Sequence, residues 1–358
     1  MFAYWLFFSI IGFFSLLVIF KINKFETFSL FIFAVLFLIL FCGLRTESND
    51  YDGYKEIFSH VPSFLDLNYE WLISKSVNVE YGFIILSSFI KLFSSNVVYL
   101  MLVVAALAIF LNSYVIWKLS PYVFLSLLLY FSHNFILKET IQIRQGLASA
   151  IILYAFYKHN NQSLVVLLIM LAGSIQSSAY LTFIPLYFAY KNITNKQYYL
   201  ILIIFIFLTF SFSGRHLFES ILNLFGLPDS ISGYLGWEEH DFKIGFLSPI
   251  LIKQVLIFSV LLYFRSQLTE KYLHFNFFFN FYFFSTIWYI YFNDFAIVAG
   301  RVSNLFSVGE IILIPMLISV ILPRHRIYFY FSIIVLGAIT LFLDLNSGSV
   351  FEYKNIFF

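Results

Sequence analysis

The chain has 358 residues, 61% hydrophobic and 11% charged, with a formal net charge of +2. That composition excludes an ordinary soluble domain, and apolar runs recurring about every twenty residues predict an all-α polytopic membrane protein rather than a barrel of alternating strands. So small a charge, scattered over connecting segments, argues against a nucleic-acid partner, and the single cysteine, Cys42, sits in an apolar run and allows no intrachain disulfide.

In chain order, the first apolar run covers residues 2–20. It lacks a basic leading region and a small-residue cleavage site, so it reads as a retained helix and not as a signal peptide. The second covers 28–44, and the basic Lys21–Lys24 turn between them is assigned to the cytoplasmic side. The stretch 45–80 is too polar to span. Residues 81–93 are apolar but shorter than the ~17–25 residues a crossing needs, so they are expected to form a re-entrant or interfacial helix on the outer side. Further spans are predicted at 97–117, 121–137, 145–157, 163–175, 178–190, 198–213, 249–264, 273–292, 304–322 and 327–343, about twelve crossings in all. With this parity every inward loop is basic (Lys118, Lys158–His159, Lys191–Lys196, 265–271, 323–326), and nearly all acidic residues fall outside. One long tilted helix over 163–190 is the alternative that would invert the downstream half. Without internal repeats or an appended soluble region, residues 1–358 read as one integral membrane domain with outer loops at 45–96 and 214–248.

Residues 136–155, ILKETIQIRQGLASAIILYA, carry the sharpest signal. They read as a polar, cationic helix start running into a tightly packing apolar helix, which places Arg144 where water meets hydrocarbon. A guanidinium at a helix centre costs roughly 2.5–3.5 kcal/mol on insertion scales unless it faces protein, water or an anion; snorkelling to lipid headgroups is the plainer alternative. Gly146 and Ala150, four apart, allow a neighbouring helix to approach closely.

Four polar clusters converge on the outer face under this topology. The first loop brings Arg45, Asp50, Tyr51, Tyr54 and Glu80, and the 136–155 stretch brings Lys138, Arg144 and Gln145. A kinked turn brings Gln176, Ser177 and Ser178, and a late helix start brings Asp294, Arg301 and Asn304. Forked arginine donors match phosphate oxygens, and tyrosines offer apolar faces to sugar rings, so the set suits an anionic, sugar-bearing lipid. Taken one at a time, the same residues are as well explained as solvated loop charges. Glu238, Glu239, His240 and Asp241 are adjacent and lack metal-ligand spacing, so they read as a solvated loop. His133 reads as a hydrogen-bonded helix histidine. No phosphate-binding glycine loop, zinc-binding His-Glu pair or nucleophile elbow is present in the sequence.

Five short segments in order, LRTESNDYDGY (Leu44–Tyr54), EYGF (Glu80–Phe83), IRQGLASAI (Ile143–Ile151), RVSNLF (Arg301–Phe306) and the terminal Tyr353-Lys354, make the chain resemble the EpsG/Wzy-type polysaccharide polymerases, membrane glycosyltransferases of the C type. It departs from them at Gln176-Ser177-Ser178-Ala179, where the family usually carries a His. The resemblance implies polymerisation of oligosaccharide repeat units carried on undecaprenyl diphosphate, at the outer face of the bacterial inner membrane, for O-antigen, capsule or exopolysaccharide. It implies no metal or other cofactor, and it adds a chain-length regulator as a further protein partner. By the roles such a transfer demands, Asp50 is expected as general base with Glu80 second, and Arg144 and Arg301 as diphosphate ligands assisted by Arg45 and Lys138. Gln176 would replace the family His, with Tyr51, Tyr54 and Gln145 beside the substrate. A lipid-linked glycan ligase and a flippase or transporter of lipid-linked sugars are the alternatives. The latter would call for charges deep within the helices.

Overall fold

The structure is a computed structural model that describes residues 1–19, 23–74, 77–225, 243–348 and 350–356. The described residues are helical, without strands; an isolated antiparallel bridge joins Arg45 to Asn355. The chain is a helical membrane protein. The helices are α1 (Phe2–Ile19), α2 (Lys24–Gly43), α3 (Tyr51–His60), α4 (Tyr69–Ile73), α5 (Tyr81–Lys91), α6 (Val97–Leu119) and α7 (Val123–Leu129). The last continues as a π-helical segment, Tyr130–Glu139. There follow α8 (Ile143–Tyr157), α9 (Gln162–Ile175), a 3-10 turn (Ser177–Thr182), α10 (Phe183–Ala189), α11 (Asn195–Ser211) and α12 (Gly214–Phe225). The remainder is α13 (Pro249–Tyr263), α14 (Arg265–Lys271), α15 (Phe275–Tyr291), α16 (Ala296–Phe306), α17 (Glu310–Leu317) and α18 (Arg326–Leu345).

Local chemistry sets many of the boundaries. Asn23 and Glu26 close a capping box on α2, Thr194 and Gln197 another on α11, and Asn96 and Asn161 cap α6 and α9. Pro249, at the start of α13, loses no hydrogen bond there. Four helical stretches among the described residues are long and apolar enough to cross a membrane: Lys24–Gly43, Val97–Leu119, Ala296–Leu317 and Pro323–Leu345. Two bent pairs, α11 with the first part of α12 and α13 with α14, meet the same test jointly, at 82° and 70°. The 23 residues of α6 reach about 34 Å, beyond the ~30 Å hydrocarbon core, whereas the 15 of α8 reach only about 22 Å.

One buried apolar cluster runs from Tyr4 to Val350, with the phenylalanine-rich α15 at its heart. Phe258 stacks on Phe279 at 5.5 Å and Phe156 packs on Phe281 at 4.0 Å, which accounts for part of the phenylalanine content as core rather than lipid-facing surface.

Contacts between connecting segments fall into two groups. At one end, His159 lies against His274, Tyr190 Oη donates to the His159 carbonyl, Arg265 donates to Asn195, and Lys271 to the Ser319 carbonyl. At the other, Glu80 pairs with Arg144, the Ile244 N–H donates to the Asn293 carbonyl, and the tail lies along residues 44–46.

Two expectations are corrected, and a third feature is new. The 136–155 stretch is not one helix start: helical structure ends at Glu139, and a turn through Gln142 precedes α8, so Lys138 and Glu139 terminate the preceding helix. Arg301 and Asn304 do not sit in and just after an outer loop. They lie inside the continuous Ala296–Leu317 helix, which begins at the first run of residues able to bury an apolar face. The helices also carry more interior charge than the apolar runs advertise, since Lys253 on α13 pairs with Glu310 on α17 at 2.9 Å. Glu238 to Asp241 lie outside the described residues, as does Lys21.

Candidate active site at the rim of the bundle

Asp50 stands at the N-cap position of α3, but its carboxylate makes no cap bond and instead lies on the wall of a cavity of about 200 Å³. Burial pushes its pKa up from the usual value, opposed by the positive charges of Arg301, Arg144 and Arg45, in that order. The amphipathic α3 turns Tyr54 and Phe58 inward, and Tyr54 joins Asp50 on the cavity wall beside Arg144.

Arg144 occupies the first turn of α8. Glu80 Oε2 accepts from its Nη1 at 2.5 Å, while Glu80 Oε1 accepts from the Ser177 backbone N–H at 2.8 Å. One carboxylate thus ties the start of α5 to α8 and to the 3-10 turn, and the guanidinium also stands 5.9 Å from the Phe83 ring. Gln176 falls where α9 ends: its extended backbone (φ −144°, ψ 110°) breaks the helix, and the residue lines the same cavity as Arg144 and Arg301. Gln145 Nε2 donates to the Arg301 carbonyl at 3.1 Å and so fastens α8 to α16. Gly146 is required at this junction, because a Cβ there would stand 2.5 Å from Glu139 Oε2 and 3.0 Å from the Lys138 carbonyl oxygen.

Arg301 lines this cavity and a second one of about 230 Å³, shared with Lys138, Gln142 and Asn304. Lys138 is buried, and its Nζ donates to the Asn304 carbonyl at 3.0 Å. The rim therefore holds one carboxylate, two arginines and three glutamines around one space, with a lysine in the space adjoining.

Of the residues singled out in the sequence, Asp50, Tyr54, Arg144, Gln145, Gln176 and Arg301 share the first cavity. Three do not. Glu80 stands behind Arg144 with both oxygens engaged, which suits positioning rather than proton transfer. Tyr51 is half-buried off the wall. Arg45 is 2% exposed and enclosed: its Nη1 donates to the Cys42 carbonyl at 2.8 Å, while Nε and Nη2 are buried with no hydrogen bond among the described residues. The tail covers it, with Tyr353 stacked on Phe41 at 4.0 Å and the Thr46 N–H donating to the Lys354 carbonyl.

Sequence reasoning missed Gln142, which lines both cavities from the turn before α8. It also missed the buried network in which Glu139 Oε1 accepts from Tyr130 Oη at 3.0 Å and Asn112 Nδ2 at 3.3 Å. A charge within an apolar run was the available signal for Glu139 and Glu310. His133 Nδ1 lies 2.7 Å from Asp344 Oδ2, away from the cavity. Asp294 accepts from Ser213 Oγ at 2.6 Å and so holds the start of α12 rather than joining the site.

Fold and site together define a helical membrane protein with a cationic, carboxylate-bearing cavity among its connecting segments. The sequence profile of the EpsG family matches residues 28–355, and the chain belongs to that family. It is also similar to the amylovoran biosynthesis protein AmsC of Erwinia amylovora, with 27% identity over 313 residues that cover 83% of this chain and 79% of the relative. No solved structure matches the chain.

Proposed function

We propose that this protein is a polysaccharide-biosynthesis enzyme, a glycosyltransferase that polymerises lipid-linked oligosaccharide repeat units. The observation that carries the reading is the meeting of Asp50, Arg144 and Arg301 on one cavity wall from three distant parts of the chain. The name of the amylovoran relative points to the same kind of pathway.

In the proposed step, a hydroxyl on the non-reducing sugar of one lipid-linked unit attacks the anomeric carbon of the growing chain. The new glycosidic C–O bond forms as the C–O bond to the lipid diphosphate breaks, and the bonding pair leaves with the diphosphate. Asp50 accepts the hydroxyl proton. Arg144 and Arg301 stabilise the charge that develops on the leaving oxygen. Arg144 is already oriented by Glu80 and so has little to reorganise. Gln176 and Gln142 offer neutral hydrogen bonds to sugar hydroxyls, and Tyr54 an aromatic edge. The substrate pair is undecaprenyl-diphosphate-linked. The cavity faces the periplasm or cell exterior, and about twelve membrane crossings of a C-type fold carry it, the shorter helices spanning by pairing with their neighbours.

Deletion and complementation in cells that display a polymer ladder test the reading. A polymerase leaves single repeat units attached to their final carrier when deleted, and Asp50→Asn or Arg144→Ala expressed at normal levels fails to restore the ladder. Full-length polymer accumulating unattached would make the protein a ligase instead. Transport is the second reading, and the interior pair Lys253–Glu310 favours it. Accumulation of lipid-linked units on the cytoplasmic leaflet after deletion would establish it.

A further inference from the structure

Lys138 is 2% exposed, and its Nζ donates to the Asn304 carbonyl. Among the described residues no carboxylate is close enough to form an ion pair with it: Glu139, next in the chain, accepts from Tyr130 and Asn112, and Glu310 is paired with Lys253. An ammonium taken out of water without a carboxylate is costly to the fold unless the space beside it receives an anion. That space is the cavity of about 230 Å³ adjoining the rim cavity. One of its walls is a single face of α16, where Ala296, Gly300 and Asn304 recur every fourth residue. A Cβ at Gly300 would meet nothing within 4 Å, so this wall leaves room for a guest.

Arg301 and Gln142 line both cavities, so the two spaces adjoin, and they are of similar size, about 200 and 230 Å³. An oligosaccharide with its reacting sugar in the first therefore has its next ring at the second. The two differ in charge. Asp50 lines the first and repels a negatively charged sugar, whereas no carboxylate lines the second. The second offers the Lys138 ammonium, which has N–H groups beyond the one given to Asn304, the Arg301 guanidinium, and the amides of Gln142 and Asn304. Leu137 and Ile297 supply apolar contact for one face of a ring but no slot for a lipid tail.

We infer that the second cavity is a subsite for an acidic sugar of the repeat unit, the residue next to the reacting one, with its carboxylate held by Lys138 and Arg301. This rests on the transferase reading above and deepens it by naming a substrate class, repeat units that carry a carboxylate. The lipid diphosphate is the rival anion for Lys138.

The test uses the full-length protein in nanodiscs and two probes: the repeat-unit oligosaccharide released from the host cell's own polymer, and the same oligosaccharide with its carboxyl groups reduced to primary alcohols. Binding is titrated by saturation-transfer NMR. The reduced form is expected to bind at least about tenfold more weakly, a loss of about 1.4 kcal/mol. Lys138→Met should bring the native form down to the affinity of the reduced form and leave the reduced form unchanged. Gly300→Leu, whose side chain enters the open space with both cations in place, should weaken both forms, and it keeps the test available if Lys138→Met fails to elute as a monodisperse protein. Inorganic diphosphate should bind wild type and Lys138→Met alike. A host polymer without any carboxylate, equal binding of the two oligosaccharides, or a Lys138→Met variant that loses diphosphate but not the acidic oligosaccharide would each overturn the inference. Binding does not depend on turnover. A protein that discriminates the two forms but transfers no sugar would refute the transferase reading and leave the subsite standing, whereas one that builds polymer while binding both forms alike would do the reverse.

Discussion

The rim around Arg144 and the niche around Arg45 are built on the same residue type, and both arginines fall within the stretch that the family profile matches. Arg144 is held on one side by Glu80 and Tyr54 and opens on the other to a cavity shared with Asp50 and Arg301. Arg45 is closed in by the Cys42 carbonyl, by the phenyl ring of Phe41 with Tyr353 stacked on it, and by the backbone of the tail. A fixed cation beside free space is equipped to receive an anion, whereas a fixed cation beneath a packed strap serves the fold and acts on the site only through its field. Burial alone does not separate the two cases; what occupies the far side of the guanidinium does.

Substitutions that should leave folding intact test the rim first. Asp50→Asn keeps the shape of the side chain and removes the proton acceptor, and is expected to cost about 10²–10⁴ in transfer rate, read from in vitro polymer formation at matched protein levels. Arg144→Ala should follow, at about 10²–10³, the range for losing one preorganised charge donor. Arg144→Lys should recover little of it, because a single ammonium cannot hold Glu80 and face the cavity together. Glu80→Gln comes next, at roughly 10–100-fold, the cost of a misplaced catalytic group. Its neutral amide still accepts from the Ser177 N–H, so the protein should elute as wild type does. If Glu80→Gln were the most damaging of the three, Glu80 would be the base and Asp50 its neighbour.

How much of this was readable beforehand follows the physics of each residue. Asp50, Arg144 and Arg301 were legible because a charge beside an apolar run must find water, a partner or a ligand, and charge parity placed all three on one side. The break at Gln176 was legible as a polar Gln-Ser-Ser turn between two short apolar runs. Arg45 was misread because nothing in a linear pattern shows that the last residues of the chain return to pair with residues 44–46. The boundary after Glu139 was missed for a related reason. The π-helical turn preceding it has no compositional signature, and only packing against Gly146 shows that the chain must break there. The number of crossings was the least legible: among the described residues four helices, or six if each bent pair is one span, are long and apolar enough to cross a membrane, against about twelve apolar runs.

The field of Arg45 offers a smaller measurement that sharpens the contrast. Burial disfavours ionised Asp50, so its pKa lies above the usual aspartate value, and the proposed base works only when ionised. Activity should therefore fall as pH drops through that raised value, giving an acid limb above the range of an exposed aspartate. Removing a nearby positive charge withdraws stabilisation from the carboxylate and moves the limb further up. The shift should be largest for Arg301→Gln, smaller for Arg144→Gln and smallest for Arg45→Gln, following the order in which the three charges act on Asp50. Equal shifts for Arg45 and Arg301 would place Arg45 in contact with the cavity after all, and would break the distinction drawn between the two regions.

The smallest effect belongs to the outer edge of the strap. Lys354 pairs with Glu47 at 2.8 Å, but both side chains are about half exposed, and such surface pairs lose most of their attraction to water and salt. Lys354→Ala should leave the melting temperature and the polymer ladder unchanged. Tyr353→Ala, which removes the ring stacked on Phe41 above Arg45, should lower the melting temperature measurably. If the two variants behaved alike, the strap would be held by its edge charges and not by its aromatic seat, and Arg45 would be open to solvent more often than its packing implies.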